Sequence, residues 1–333
     1  MGLVPTLLVG LPLLLIAGLI ALRHPSLLIA LSVYTISLDH MGRLQLGPLT
    51  LNNLLKVLLV VVTLIWLMNQ GKRLTFPRHL VWFMPLLIFT GIMTLYSASL
   101  DMAASYLFRL FTAWLYALFF AYCSRGDRDL AFLLIAVGGT ALVVSVLAHM
   151  QTLNVLTRGA VMLVEKQGPD ASGVRAVSTF WDSNQMGQFL VVLSMFLTAT
   201  LTLTGLNRIW KILILGILFS TFGAILLSFS RSAWLALGLS LTLMFFARRM
   251  RRVVMGFGAV GLLGVLYMAL FTPYGAHLLG RLSTLGQLGE DFSGQFRWLL
   301  AMSGMRIWTD GFHWLWGCGF FSFTEVVTRY WHP

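Results

Sequence analysis

Asn207-Arg208-Ile209-Trp210-Lys211 opens an apolar run that ends in Leu226-Leu227-Ser228-Phe229-Ser230-Arg231-Ser232-Ala233-Trp234, and a second apolar run then closes on Arg248-Arg249-Met250-Arg251-Arg252. Two apolar segments, near 209–228 and 232–247, therefore lie between two basic blocks and are joined by a turn that carries one arginine. A helix needs about 20 apolar residues to cross a bilayer. The stretch reads as a hairpin of membrane helices. Lys and Arg gather in cytoplasmic connections, so both basic blocks fall inside and Arg231 falls outside.

The rest of the chain repeats this pattern. Of 333 residues, 58% are hydrophobic and only 10% charged, with a mean hydropathy of +0.86. Soluble domains carry roughly 25% charged residues, so the composition excludes an ordinary soluble core. Further apolar candidates lie near 5–22, 25–38 (short), 50–69, 80–98, 102–123, 129–150, 184–204 and 253–271. Lys72-Arg73 through Arg78-His79 and Arg125 through Arg128 join the basic blocks on the inside; the connections near 39–49, 99–101, 151–183, 229–231 and 272 onward fall outside. Arg23-His24 then falls inside and the N-terminus outside, unless the first two segments form a shallow hairpin. The first segment lacks a basic leader and a small-residue cleavage site, so it reads as a retained span rather than a signal peptide.

The expected fold is all-α: a polytopic transmembrane helix bundle with about 10 spans in this chain and about 12 in an intact protein. Residues 1–271 form the transmembrane domain, including an external loop at 151–183. Residues 272–333 begin a large periplasmic loop with short helices, which the end of the chain is expected to cut short. The net charge of +12 is carried mainly by the inside blocks, so it speaks for orientation and against nucleic acid. Cys123 and Cys318 fall on opposite sides and are not expected to pair.

Several residues stand out chemically. Arg231 sits among Ser228, Ser230 and Ser232 at the outer surface, a donor-rich spot; its bland reading is an arginine snorkelling to headgroups. Arg297 begins an amphipathic pattern over Gly294–Asp310, with Trp298, Leu299, Met302, Met305 and Trp308 apolar, suited to lie on the outer membrane surface. Arg306 falls on the opposite face of that helix. Arg297 shares a face with the small residues Ala301 and Gly304. Gly317 and Gly319 permit close backbone approach, although a structural turn explains them as well. Arg175 and Asn184 are candidates to line an external polar cavity, while Asp182 or Ser183 caps the helix that follows. Arg109 and Lys56 lie roughly 10 Å into their segments, where a charge is a functional candidate unless it snorkels. No Walker A, His-Glu-x-x-His or Cys/His cluster is present in the sequence, which disfavours an ATP-driven pump or a nucleotide-sugar enzyme. Asp127-Arg128-Asp129 reads as a helix start.

Three of these motifs, taken in order, resemble the O-antigen ligase and O-antigen polymerase superfamily of bacterial inner-membrane proteins. The Arg175…Ser178-Thr179-Phe180…Ser183-Asn184 stretch is similar to the family's Arg-x-x-Gly-Thr-Phe…Pro-Asn segment. Ser230-Arg231-Ser232-Ala233 resembles its Ser-Arg-[Gly/Ser]-Ala motif. Arg297 and its helix, followed by His313-Trp314-Leu315-Trp316-Gly317-Cys318-Gly319 and Phe323, resemble its Arg-helix-His-Pro-Leu-x-Gly-x-Gly-x-x-x-Phe signature. Trp314 and Ser183 depart from the family's prolines. The family's His-Asn motif does not appear before the end of the chain, where His332 is the remaining candidate histidine.

The resemblance implies a metal- and cofactor-independent glycosyltransferase acting on the periplasmic side of the inner membrane. The donor would be a glycan on undecaprenyl diphosphate. The acceptor would be lipid A-core for a ligase, or another lipid-linked glycan for a polymerase. Arg231, Arg297 and His332 would be catalytic; Arg175, Arg109, Asn184, Lys56, Gly317, Gly319 and His313 would bind substrate. The competing readings are a transporter of a lipid-linked glycan or small anion, and a non-catalytic partner in envelope assembly. A transporter should show paired repeats with broken spans, and the sequence shows none.

Overall fold

The structure, a computed structural model, describes residues 78–123, 127–152, 182–202, 206–271 and 292–310, with isolated positions elsewhere. These residues are helical apart from a minimal hairpin of β1 (Gln45–Leu46) and β2 (Leu49–Thr50), paired antiparallel with Leu46 opposite Leu49. The chain divides into two compact units: Met1–Leu55 with Gly126–Ser283, and Lys56–Arg125 with Thr284–Pro333. The expected spans at 5–22, 25–38 and 50–69 lie outside the described residues except for single positions.

The second unit holds α1 (Arg78–Val81), α2 (Met84–Leu95), α3 (Leu100–Cys123) and α9 (Phe292–Thr309). The expected span at 80–98 is interrupted. It breaks at Trp82-Phe83, and α2 is only 12 residues long, about 18 Å and too short to cross. Pro85 explains the restart. It has no N–H to donate, which costs nothing in a first turn but breaks a helix interior. The break is held from α3: Trp114 Nε1 donates to the Leu80 carbonyl at 3.1 Å. Leu80, Trp114, Leu115 and Leu118 form a small core with Phe83 and Leu87 packed on it.

The first unit holds α4 (Asp127–Thr152), α5 (Ser183–Thr200), α6 (Arg208–Leu227), α7 (Arg231–Phe246) and α8 (Arg251–Phe271). Helices thus form at the expected spans 129–150, 184–204, 209–228, 232–247 and 253–271. Three of them are long and apolar enough to cross a membrane: Leu130–Thr152, Arg208–Leu227 and Arg251–Phe271. This marks the chain as a membrane protein. By contrast, α7 has 16 residues, about 24 Å, and α5 opens on Ser183, Asn184 and Gln185, which shortens its apolar run.

Several polar side chains inside these helices are satisfied locally, as a lipid surround favours, whereas the buried Thr140 Oγ1 of α4 has no hydrogen-bond partner among the described residues. Ser194, Thr198, Thr200 and Thr221 donate to carbonyls three or four residues earlier, at 2.7–2.8 Å. Phe222 of α6 meets Phe257 of α8 edge-on, with centroids 5.3 Å apart. The helices alternate in direction. Consequently α4 and α6 end where α5 and α7 begin, and Arg208, Lys211 and the 248–252 block sit at the opposite end.

Candidate functional site

The end at which α5 and α7 begin is built from the short segments that flank them. Ser230 caps α7, its Oγ accepting from Ala233 N–H at 3.3 Å and lying 3.1 Å from Ser232 Oγ. Asp182 caps α5, accepting from Asn184 N–H at 3.0 Å. These are the residue types that leave orphaned helix N–H groups satisfied. The expected cap is therefore Asp182, and Ser183 follows it as the first helical residue.

The turn between α6 and α7 is tied down by several hydrogen bonds. Ser228 Oγ donates to Ile225 O at 2.6 Å and accepts from Ser230 N–H at 3.2 Å. Trp234 Nε1 reaches back to the same Ile225 carbonyl at 3.1 Å. Phe229, between the two serines, is 3% exposed with φ +47°. Ser178 is fully buried with φ +52°. These are the two non-glycine residues of positive φ among those described. Left-handed backbone in a residue other than Gly is strained, and such strain concentrates at functional positions.

Ser178 belongs to the segment that precedes α5, and hydrogen bonds fasten this segment to both neighbouring helices. Ser178 Oγ donates to Val144 O at 2.8 Å, and its N–H donates to Gln151 Oε1 at 2.8 Å, both on α4. Ala176 N–H donates to Leu227 O at 3.1 Å, at the end of α6. Ala176, Phe180, Met186, Val144, Ile225 and Ala233 share one buried core. Two of the three sequence motifs, the Ser178–Asn184 stretch and the Ser230–Ala233 stretch, are thus brought together.

Arg231 is the first residue of α7 and is half-buried. A helix N-terminus carries roughly half a positive charge, so a cation there opposes the dipole. The α5 N-terminus stands beside it. A Cβ added to Gly187, in the second turn of α5, would lie 2.7 Å from Ala233 Cβ and 3.1 Å from Ser228 Oγ. Two helix N-termini, one of them opening on Arg231, therefore lie side by side at one end of this unit. Aligned helix dipoles and a forked, charged donor are features that favour a phosphate oxyanion.

The other expected residues are distributed as follows. Asn184 is half-buried and donates its carboxamide to both Asp182 oxygens at 3.2 Å. Arg109 belongs to the second unit and is exposed on α3, its guanidinium 4.8 Å from the Tyr106 ring centre. Arg297 is in the second turn of α9, in the same unit. The expected helix at 294–310 is α9, whose Trp298, Met302, Met305 and Trp308 are exposed. Gly304 lies against Phe323: a Cβ there would meet its ring at 3.5 Å. Lys56, Arg175, His313, Gly317, Gly319 and His332 lie outside the described residues. No group of His, Cys, Asp and Glu suited to a metal occurs among the described residues.

His149, Gly187, Gly223 and Phe229 escaped the sequence reading. His149 carried a usable signal, an ionisable group inside a candidate span. The backbone of Phe229 and the close approach at Gly187 carried none, because both depend on which helices meet. No family model matches the chain, no curated protein is similar to it, and no solved structure matches its fold.

Proposed function

We propose that the protein is an inner-membrane glycosyltransferase that takes a glycan from undecaprenyl diphosphate on the periplasmic side. The observation that supports this most is Arg231 at the start of α7, beside the start of α5. A cation at that position opposes the α7 dipole, so helix stability does not account for it. An anionic ligand at this end would offset that cost.

In the proposed reaction an acceptor hydroxyl attacks the anomeric carbon, and the bond to the diphosphate oxygen breaks. The leaving group takes the electron pair and becomes more negative. Fixed donors aimed at that charge lower the barrier without reorganising. Arg231 and the two helix N-termini supply them. Arg297 keeps the role that the sequence resemblance implies. The basic ends at Arg208–Lys211 and Arg248–Arg252 support the orientation, because the positive-inside rule sets them in the cytoplasm and Arg231 outside. Lipid A-core is the favoured acceptor, with a lipid-linked glycan as the alternative.

The test is transfer by the full chain in proteoliposomes that contain lipid-linked glycan and rough lipopolysaccharide, without metal or nucleotide. Glycan appearing on lipid A-core identifies a ligase, and glycan lengthened on undecaprenyl diphosphate identifies a polymerase. Glycan crossing the bilayer without bond exchange would replace this reading with a transporter.

A further inference from the structure

His149 lies in the last turn of α4, one turn from the end of a membrane helix, and is half-buried. Its Nε2 is 3.0 Å from the Ser220 carbonyl oxygen of α6. A carbonyl only accepts, so Nε2 carries the hydrogen in this contact. The same residue of α6 is held a second time: Ser145 Oγ, one helical turn before His149, is 2.8 Å from Ser220 Oγ. Gly223 makes room for the ring. A Cβ at Gly223 would stand 2.8 Å from His149 Cε1 and 3.3 Å from Nε2, so any side chain there forces the imidazole off Ser220.

What hangs from this contact is the α6 end. From Ser220 to Leu227 the helix rises about 10 Å. Over that rise Ile225 O accepts from Ser228 Oγ and Trp234 Nε1, and Leu227 O accepts from Ala176 N–H. Those bonds fix the Phe229 turn and, through it, the start of α7. An ionisable side chain in a membrane helix, fitted to a glycine on its neighbour, costs more than an apolar contact would and calls for a use.

We infer that His149 is a positioning residue for the anion site: its Nε2–H to Ser220 sets the depth of α6 against α4, and with it the placement of Arg231. This rests on the reading of Arg231 as a phosphate ligand. His149 itself is not placed in contact with the ligand.

The experiment measures undecaprenyl diphosphate binding to the full chain in nanodiscs, with undecaprenyl monophosphate as the control. His149→Ala and Gly223→Ala are each expected to weaken diphosphate binding by about tenfold, in the range seen when a positioning contact behind a ligand is removed. The double variant is expected to be no weaker than either alone, since both remove one contact. His149→Gln, which keeps an N–H at the Nε2 position, is expected to bind within about threefold of wild type. A role in packing alone would lower the melting temperature of the variants, leave the affinity of the folded protein unchanged and give no rescue by Gln. If His149→Ala binds like wild type while Arg231→Ala does not, the inference falls and the Arg231 reading stands. If wild type itself shows no preference for the diphosphate, the Arg231 reading falls and this inference with it.

Discussion

Gly187 and Ala233 set the spacing between the two helices that start at the candidate site, because a single added Cβ on Gly187 would come within 2.7 Å of Ala233 Cβ. Real carbon atoms do not approach so closely, so α5 and α7 touch here backbone to side chain. The contact lies about one turn inside the two caps, Asp182 and Ser230. It is what holds two positive helix ends next to each other.

Gly187→Ala therefore sets overpacking against helix propensity. Overpacking costs about 1–3 kcal/mol and the propensity gain is about 1 kcal/mol. The expected result is a melting temperature in detergent that is unchanged or lowered by a few degrees. Diphosphate affinity should fall by more than the stability does, since the helix ends move apart. Gly187→Leu should be worse in both readouts.

Phe229 offers a backbone test. Removing its buried ring is expected to cost about 3 kcal/mol. At ordinary positions Gly is the less stable of two truncations, but at positive φ the order reverses. Phe229→Gly should thus unfold at higher denaturant than Phe229→Ala, by about 1 kcal/mol. The opposite order would show that the turn is not left-handed in solution.

Ser232 separates stability from binding. It is the second residue of α7, where a carboxylate favours the helix by about 0.3–1 kcal/mol. Ser232→Asp should leave the melting temperature level or raised. The same carboxylate next to Arg231 competes with a phosphate, so donor affinity should drop at least about tenfold through like-charge repulsion. Stability and affinity falling together would point to simple damage.

Much of the first unit was legible in the sequence because membrane helices announce themselves by length and apolarity. The helices at 209–228 and 253–271 follow directly from that physics, and the cap at Asp182, one of the two residues offered for it, from residue type. The interruption of the span expected at 80–98 was not legible, because hydropathy does not see Pro85 or the Trp114 hook on Leu80. Arg231 was legible as a charge in an apolar stretch. Its position at the head of α7, alongside α5, was not, since that depends on the Gly187 contact. His149 was visible as an ionisable residue in a span, but its fit to Gly223 was not, because no local pattern reports a neighbour on another helix.

Orientation has its own check. In a chain with Cys123 and Cys318 replaced by serine, cysteines introduced at Arg249 and Ser232 should label from opposite sides of the inner membrane. Impermeant maleimide applied from the periplasm should reach Ser232→Cys and not Arg249→Cys. Labelling of both from one side would invert or break the assigned topology.

The central claim is that Arg231 binds a diphosphate, and its most direct test is the affinity of wild type, Arg231→Lys and Arg231→Ala for undecaprenyl diphosphate against the monophosphate. The account predicts at least a tenfold preference for the diphosphate in wild type, in line with a forked, charge-assisted contact. That preference should be lost in Arg231→Ala. It should be only partly regained in Arg231→Lys, because a lysine offers a point charge rather than a fork. Equal affinities in wild type and Arg231→Ala, with both proteins folded, would contradict it.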